Sequence, residues 1–421
     1  MISGYGEKII NPPMTCHLSG YGFYLERFPE NILDDLKVRV VFIKDKKENS
    51  ILLSSFDLIG FSVEFSDKLR REISEKFNLP FKNILISCIH THSGPATIFL
   101  RGAGEINFDY MGFLKERLKE ATEEAIKNGE ETEIKWNIKE IEPIGFNRVK
   151  WSLEPIDLNL GIIVLNKKRE KTYIVNYSCH PVTLGINKEI SADFPGRIIK
   201  EIEKKGNKGI FFQGFCGDID PFVNKIKWGS GEEKDIDFYG KHISDRVFKI
   251  EQEAFSLKKE EIRCYEKRIN LPLEVKEEIK EEKNELLKNT KNENFIKWVE
   301  NWYEETKEKL PELLKNPYIK NIPVWTGEIG EIKIIGYPGE VFCEIGLKLR
   351  KKYGPLFLFG YSNGDIGYIP TKKAYKNKKD YACYLAPKVY NYFPFKSEIE
   401  KIFLKETKKM FKKGKKWENL Q

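Results

Sequence analysis

No uncharged apolar stretch in this chain approaches the roughly 18 residues that a membrane-spanning helix needs, so no such segment is expected. It has no low-complexity tract, and no internal repeat is visible. The opening Met1-Ile2-Ser3-Gly4-Tyr5-Gly6 has no basic segment followed by an apolar one. No export signal is therefore expected, and the location reads as cytoplasmic. Cysteine is sparse and odd in number: seven residues, scattered, with Cys88, Cys179 and Cys343 inside hydrophobic runs. That usage fits reduced thiols in cytosol rather than a disulfide frame. Histidine is scarcer still, at five in 421 residues.

What is present is ordinary for a globular protein. The chain is 40% hydrophobic and 32% charged, and its length is sufficient for a large core. Its net charge of +8 raises the question of nucleic acid, but the basic residues are interleaved with 64 acidic ones. The clear basic block is the tail, 405–416, and no nucleic-acid motif accompanies it. A solvated surface is the expectation; a nucleic-acid binder would instead show salt-sensitive retention on DNA or RNA.

Strands and helices alternate through the first half. Segments 38–43 and 51–56 read as strands joined by a charged turn. Ser66 is placed to cap a helix carrying Leu69, Ile73 and Phe77 at helical spacing. Leu114, Leu118, Ala121 and Ala125 mark another helix, with Gly129 as its C-cap. Further strands are expected at 134–138, 161–165, 173–177 and 209–213. This alternation predicts an α/β fold with mixed sheets. Between 251 and 323 the chain turns Glu/Lys-rich with apolar stripes, which predicts a helical hairpin inserted into that core. Such an insert either roofs the site or stands at the periphery.

Four apolar runs each end on residues able to bind a metal or move a proton. Ile84-Leu85-Ile86-Ser87-Cys88-Ile89 leads into His90-Thr91-His92-Ser93-Gly94-Pro95. Tyr173-Ile174-Val175-Asn176-Tyr177 leads to His180-Pro181. Ile210-Phe211-Phe212-Gln213 leads to a glycine-bearing turn with Asp218 and Asp220. Segment 332–336 leads to Tyr337-Pro338-Gly339-Glu340, with Glu340 expected to open a helix through Arg350. A last strand, 356–359, runs into a glycine-rich loop that presents Tyr368.

Taken singly, these residues have plainer explanations. A histidine before proline is usually structural, and a glutamate opening a helix is favoured by the helix dipole. Two aspartates brace a turn, and a tyrosine fills a rim. Their shared position just after apolar strands argues for one site. His90, His180 and Glu340 supply two imidazoles and a carboxylate, a set suited to a catalytic Zn²⁺. His92 is expected too far along the turn to share the metal and fits an acid–base role.

The chain resembles the neutral/alkaline ceramidase family in its amidase domain. The resemblance rests on His90-Thr91-His92-Ser93-Gly94-Pro95, Asn147-Arg148 after Gly145-Phe146, His180-Pro181 and Ser191-Ala192-Asp193 with Gly196. It continues through Gly217-Asp218-Ile219 with Pro221, Pro338-Gly339-Glu340 and Gly367-Tyr368-Ile369 with Thr371, in the family's order over about residues 1–385. It implies a single catalytic domain over 1–421, with 251–323 inserted; the C-terminal immunoglobulin-like domain that the family carries is not expected here, which is a departure. It further implies a zinc held by His90, His180, Glu340 and Tyr368, with His92 assisting at the carbonyl and Arg148 and Tyr381 contacting substrate. The family splits the amide of ceramide into fatty acid and sphingoid base.

One departure is chemical. Where the family carries a functionally important serine, this chain has Asp220. An ionised carboxylate cannot donate as a hydroxyl does; it accepts a proton or holds a cationic or hydroxyl-rich substrate. With the missing domain and the missing export signal, this moves the expectation away from ceramide itself more than from zinc hydrolysis. The expected activity is zinc-dependent hydrolysis of an amide or related acyl bond in a lipid-like or small substrate. The alternatives are a hydrolase of a small polar ester, lactone or sugar-derived amide, and a catalytically retired metal-binding protein.

Overall fold

The computed structural model describes residues 1–418, with side chains through Lys412. The side chains of the basic block beyond Lys412 lie outside the described residues.

Three sheets form the scaffold. The first contains β1 (Ile2–Ile9), β2 (Lys37–Lys44), β3 (Ser50–Phe56) and β4 (Ile84–Cys88), in the order β4-β3-β2-β1. The second contains β5 (Glu133–Glu140), β6 (Asn159–Asn166), β7 (Lys171–Tyr177) and β8 (Lys208–Gln213), in the order β8-β7-β6-β5. The third contains β9 (Ile262–Pro272), β10 (Tyr318–Ile329), β11 (Ile332–Gly336) and β12 (Phe357–Phe359), in sequence order. The α/β expectation with mixed sheets holds.

The residues explain the layering. In β2, Val41 and Ile43 point one way and join an inner cluster with Leu53, Leu85, Ile163, Ile174 and Phe212 from both sheets. Val38, Val40 and Phe42 point the other way, toward α1 (Val63–Phe77) and α2 (Phe108–Lys127). On the second sheet, Ile162, Val164 and Val175 pack with α3 (Asp193–Glu203) and α4 (Glu233–Glu251). Period-2 alternation with both faces apolar therefore stacks two sheets between two helical layers. The third sheet enters the inner cluster through Trp325, Ile329 and Ile334.

Each sheet contains one parallel pair: β3 with β4, β7 with β8, and β11 with β12. A parallel pair needs a crossover. Here α1, α3 and α7 (Cys343–Tyr353) are those crossovers. The carboxyl ends of these strands are where the candidate residues emerge.

Several local expectations shift. The cap of α1 is Ser62, whose side chain accepts from the Phe65 N–H at 3.1 Å; Ser66 is buried inside the helix. Helix α2 is capped at its C-terminus by Asn128, not Gly129. Glu340 does not open a helix. It pairs in a two-residue parallel ladder with Tyr368, and α7 begins at Cys343. The helical hairpin consists of α5 (Ile279–Leu287) and α6 (Glu293–Lys315); much of the remaining 251–323 stretch is the strand pair β9–β10. The Glu/Lys-rich composition extends beyond the helices into 262–272, which is strand. Among the described residues, no helix is long and apolar enough to cross a membrane. All seven cysteines are buried and free.

Candidate metal centre

His90 follows β4 in a left-handed backbone conformation, φ 71°. A non-glycine residue held there marks a place where surrounding structure overrides local preference. Its N–H donates to the Leu58 carbonyl at 2.9 Å, and its ring stacks on Tyr361 with centroids 4.2 Å apart. Its Nδ1 lies 2.7 Å from the Ile59 carbonyl oxygen. A carbonyl only accepts, so Nδ1 carries the proton and Nε2 faces inward.

His180 is fixed by the same device. Its Nδ1 donates to the Cys216 carbonyl at 2.7 Å, leaving Nε2 3.1 Å from Oε2 of Glu340. Oε2 also lies 3.5 Å from Nε2 of His90. The other carboxylate oxygen accepts from the Tyr390 hydroxyl at 2.8 Å. Ladder pairing with Glu340 places Tyr368 beside it, and the Tyr368 hydroxyl accepts from Nη2 of Arg148 at 2.6 Å. Arg148 also donates to Asp220 at 3.0 Å and to the Gly217 carbonyl at 2.8 Å.

His92 is nearer than its place in the turn implied. Its Nε2 is 3.2 Å from Nε2 of His90. The ligating atoms of His90, His92 and His180 all lie within 4.8 Å of one another. The close approach needs Gly20: a Cβ there would stand 2.4 Å from the His92 ring, on a backbone with φ 100°. Nδ1 of His92 is buried without a hydrogen-bond partner.

These groups bear on one another. Burial opposes charge on His90, but Glu340 outweighs it and raises the pKa. Burial, with the charge of His90 and His180, holds His92 well below its usual value. Burial and Arg148 lower His180. Burial would raise Glu340, yet His90 and His180 bring it well below the carboxylate range. Burial lifts the Tyr368 phenol, so it stays protonated at neutral pH.

Two imidazoles with committed Nδ1 protons, a third ring and an ionised carboxylate oxygen thus turn lone pairs toward one point. That donor set fits a divalent cation such as zinc. The centre forms the floor of a cavity of about 580 Å³, which His90, His92, Arg148, Asp220, Tyr368 and Tyr381 help to line. The eight residues singled out from sequence therefore come together: His180 sits behind the lining, and Tyr381 stands at the mouth, edge-on to Tyr368 at 5.8 Å.

Two solved structures share this architecture. Neutral ceramidase from Pseudomonas aeruginosa superposes with a TM-score of 0.75 at 15% identity, over 96% of this chain and 72% of that one. A ceramidase complexed with C2 gives 0.73 at 12% identity, over 96% and 73%. The fold is that of the neutral ceramidases. No family model matches the chain, and no curated protein matches it. At such identity the ceramidase likeness concerns the fold, and the site must be argued from its own residues.

Three residues around the candidate centre carried no assignment in the sequence analysis. Tyr361 lies two residues after β12 and shares the strand-end signal that exposed the others. Asp365 lies in the same loop; burial, then Glu340, raises its carboxyl to about 7. Tyr390 has no local signal, since its partners Glu340 and Asp365 lie far along the chain. Asp218 follows the plainer reading: it braces the turn by accepting from the Cys343 N–H at 2.7 Å and from Asn147 at 2.8 Å.

Proposed function

We propose that this chain is a zinc-dependent hydrolase of an amide or related acyl bond. The observation that carries the reading is the convergence of His90, His180 and Glu340 beneath a cavity wall formed by Tyr368, Arg148 and Asp220. His90, His180 and Glu340 would hold the ion, with Tyr368 as fourth ligand. A zinc ion there supplies a Lewis acid and a more acidic water.

The chain's own groups do the rest. His92 reaches the centre through Nε2 and takes a proton from the attacking water, returning it to the leaving group. Arg148 holds the Tyr368 oxygen and directs positive charge toward the acyl oxygen, where negative charge develops. Asp220, tied to Arg148, keeps the guanidinium in that orientation rather than acting as a free base. Tyr381 at the mouth would contact substrate.

The Arg148–Asp220 pair in the cavity wall, its aspartate buried and its arginine half-buried, favours a second reading of the substrate. It is strongly polar, which suits a small polar ester, lactone or sugar-derived amide in place of a long-chain amide. A cytosolic setting, supported by seven free thiols, fits either.

The test is metal analysis of the purified protein, followed by an acyl-substrate panel from long-chain N-acyl amides to short polar esters and lactones. The expected result is one zinc per chain, lost in His90→Ala and His180→Ala, with turnover that disappears on chelation and returns with zinc. Full turnover by metal-free protein would end the proposal. Tight zinc with no turnover across the panel would mark a retired metal-binding protein.

A further inference from the structure

Around the cavity mouth the surface changes character. Trp151, Trp228 and Tyr381 line the opening and are 59%, 54% and 48% exposed. Leu153, Ile186 and Ile226 extend the patch outward, and Ile226 is 89% exposed. These residues are contiguous through neighbours. Trp151 meets Phe146 edge-on at 5.0 Å, and Nζ of Lys225 lies 5.4 Å over that Phe146 ring. The Ile186 N–H bonds to the carbonyl of Gly229, next to Trp228. Isolated exposed apolar residues are commonplace, but a connected set at the mouth of a deep site marks an interaction surface.

The charge on this rim is predominantly positive, although Asp380 also lines the opening and Glu154 adjoins it. Segments 149–153 and 225–228 contain Lys150, Lys225 and Lys227 and no acid. Lys379 lines the same opening. Tryptophan beside leucine and isoleucine, interspersed with lysine, is the composition of a surface that settles into the headgroup layer of an anionic bilayer. Lysine at a protein contact is, by contrast, depleted.

We propose that this rim docks the protein on an anionic lipid bilayer, so that an amphiphilic acyl substrate enters the cavity directly from the membrane. The choice of a bilayer over a protein partner rests on the hydrolase reading. A protein seated on the rim would cap the cavity, whereas a bilayer covers it and feeds it. The cytoplasmic leaflet is the anionic one, which agrees with a cytosolic chain.

Co-sedimentation of the full chain with vesicles tests this without substrate, so it succeeds or fails independently of turnover. The probes are phosphatidylcholine vesicles, and vesicles of equal parts phosphatidylcholine and phosphatidylserine. The wild type should bind the anionic vesicles, lose binding as salt rises, and bind phosphatidylcholine alone poorly. Lys225→Glu with Lys227→Glu should weaken the partition about tenfold or more, and Ile226→Glu about fivefold. None of these three residues lines the cavity, and all are exposed, so an unchanged melting temperature shows that the variants fold. Lys405→Glu with Lys408→Glu, on the exposed face of the C-terminal helix, should leave binding intact. No binding to anionic vesicles, equal loss in the C-terminal pair, or a wild-type dimer that Ile226→Glu splits would each overturn the proposal.

Discussion

The Tyr390 hydroxyl donates to Oε1 of Glu340 at 2.8 Å, while Oε2 of the same carboxylate faces His180 and His90. One oxygen is anchored by the protein and the other is offered to the centre. Outer hydrogen bonds of this kind hold a metal ligand in position. Tyr390→Phe should therefore weaken zinc affinity by about 10- to 100-fold without abolishing it. Competition with a chelator of known affinity measures the change, and an unchanged affinity would detach Tyr390 from the centre.

Arg148 is expected to resist replacement by lysine. Its guanidinium serves Asp220, Gly217 and Tyr368 at once, from a planar fork that an ammonium cannot reproduce. Arg148→Lys should lower kcat by about tenfold or more while zinc content stays unchanged. Tyr368→Phe should cost more, about 100-fold or greater, because it removes the oxygen itself. Steady-state kinetics on the best panel substrate, with metal analysis of each variant, separates these effects from loss of the ion.

Asp193 provides a pH test away from the candidate metal centre. It sits in a left-handed conformation, φ 55°, fully buried, and accepts from the Phe194 and Leu184 N–H groups. Burial pushes its carboxyl up to about 6 despite those donors. The folded protein then holds this proton more tightly than the unfolded chain, so wild-type stability is lost as pH rises from the unfolded value toward about 6. Asp193→Asn lacks that dependence. Its stability relative to wild type should climb across the same window by up to about 3 kcal/mol. Urea denaturation at a series of pH values reads the difference, and a flat difference would refute it.

The helical hairpin should matter to the cavity wall as well as to stability. Trp298 of α6 is fully buried, and its Nε1 donates to the Arg101 carbonyl at 2.9 Å. A Cβ on Gly102 would stand 3.2 Å from its ring, on a backbone with φ 74°. Leu100 and Ala103 of that loop line the cavity. Trp298→Ala should cost about 3–5 kcal/mol in denaturation and raise KM more than it lowers kcat. Trp298→Phe should recover part of the stability. An insert independent of the site would leave KM unmoved.

Much of the site was legible because parallel strands deliver their residues at their carboxyl ends. His90, His180 and Glu340 each follow an apolar run closely enough to be found from pattern alone. Other features were not legible. His92 joins the cluster only because Gly20, distant in sequence, lets the rings approach. Tyr390 is known as a partner of Glu340 only once the chain is folded. The hairpin is narrower than 251–323 because the Glu/Lys-rich composition runs on into 262–272, whose buried Ile262, Cys264, Ile269 and Leu271 fall at strand spacing and pair with β10.

The amino-acid order by itself determined the alternating apolar runs, the α/β class and the residue types at the run ends, since burial of period-2 strands is a local property of the pattern. Tertiary structure decided which nitrogens face inward, which carboxylate oxygen is free, and that a lysine-bearing aromatic rim surrounds the mouth. Those depend on carbonyls and rings contributed by segments remote in the chain, and no local spacing encodes them.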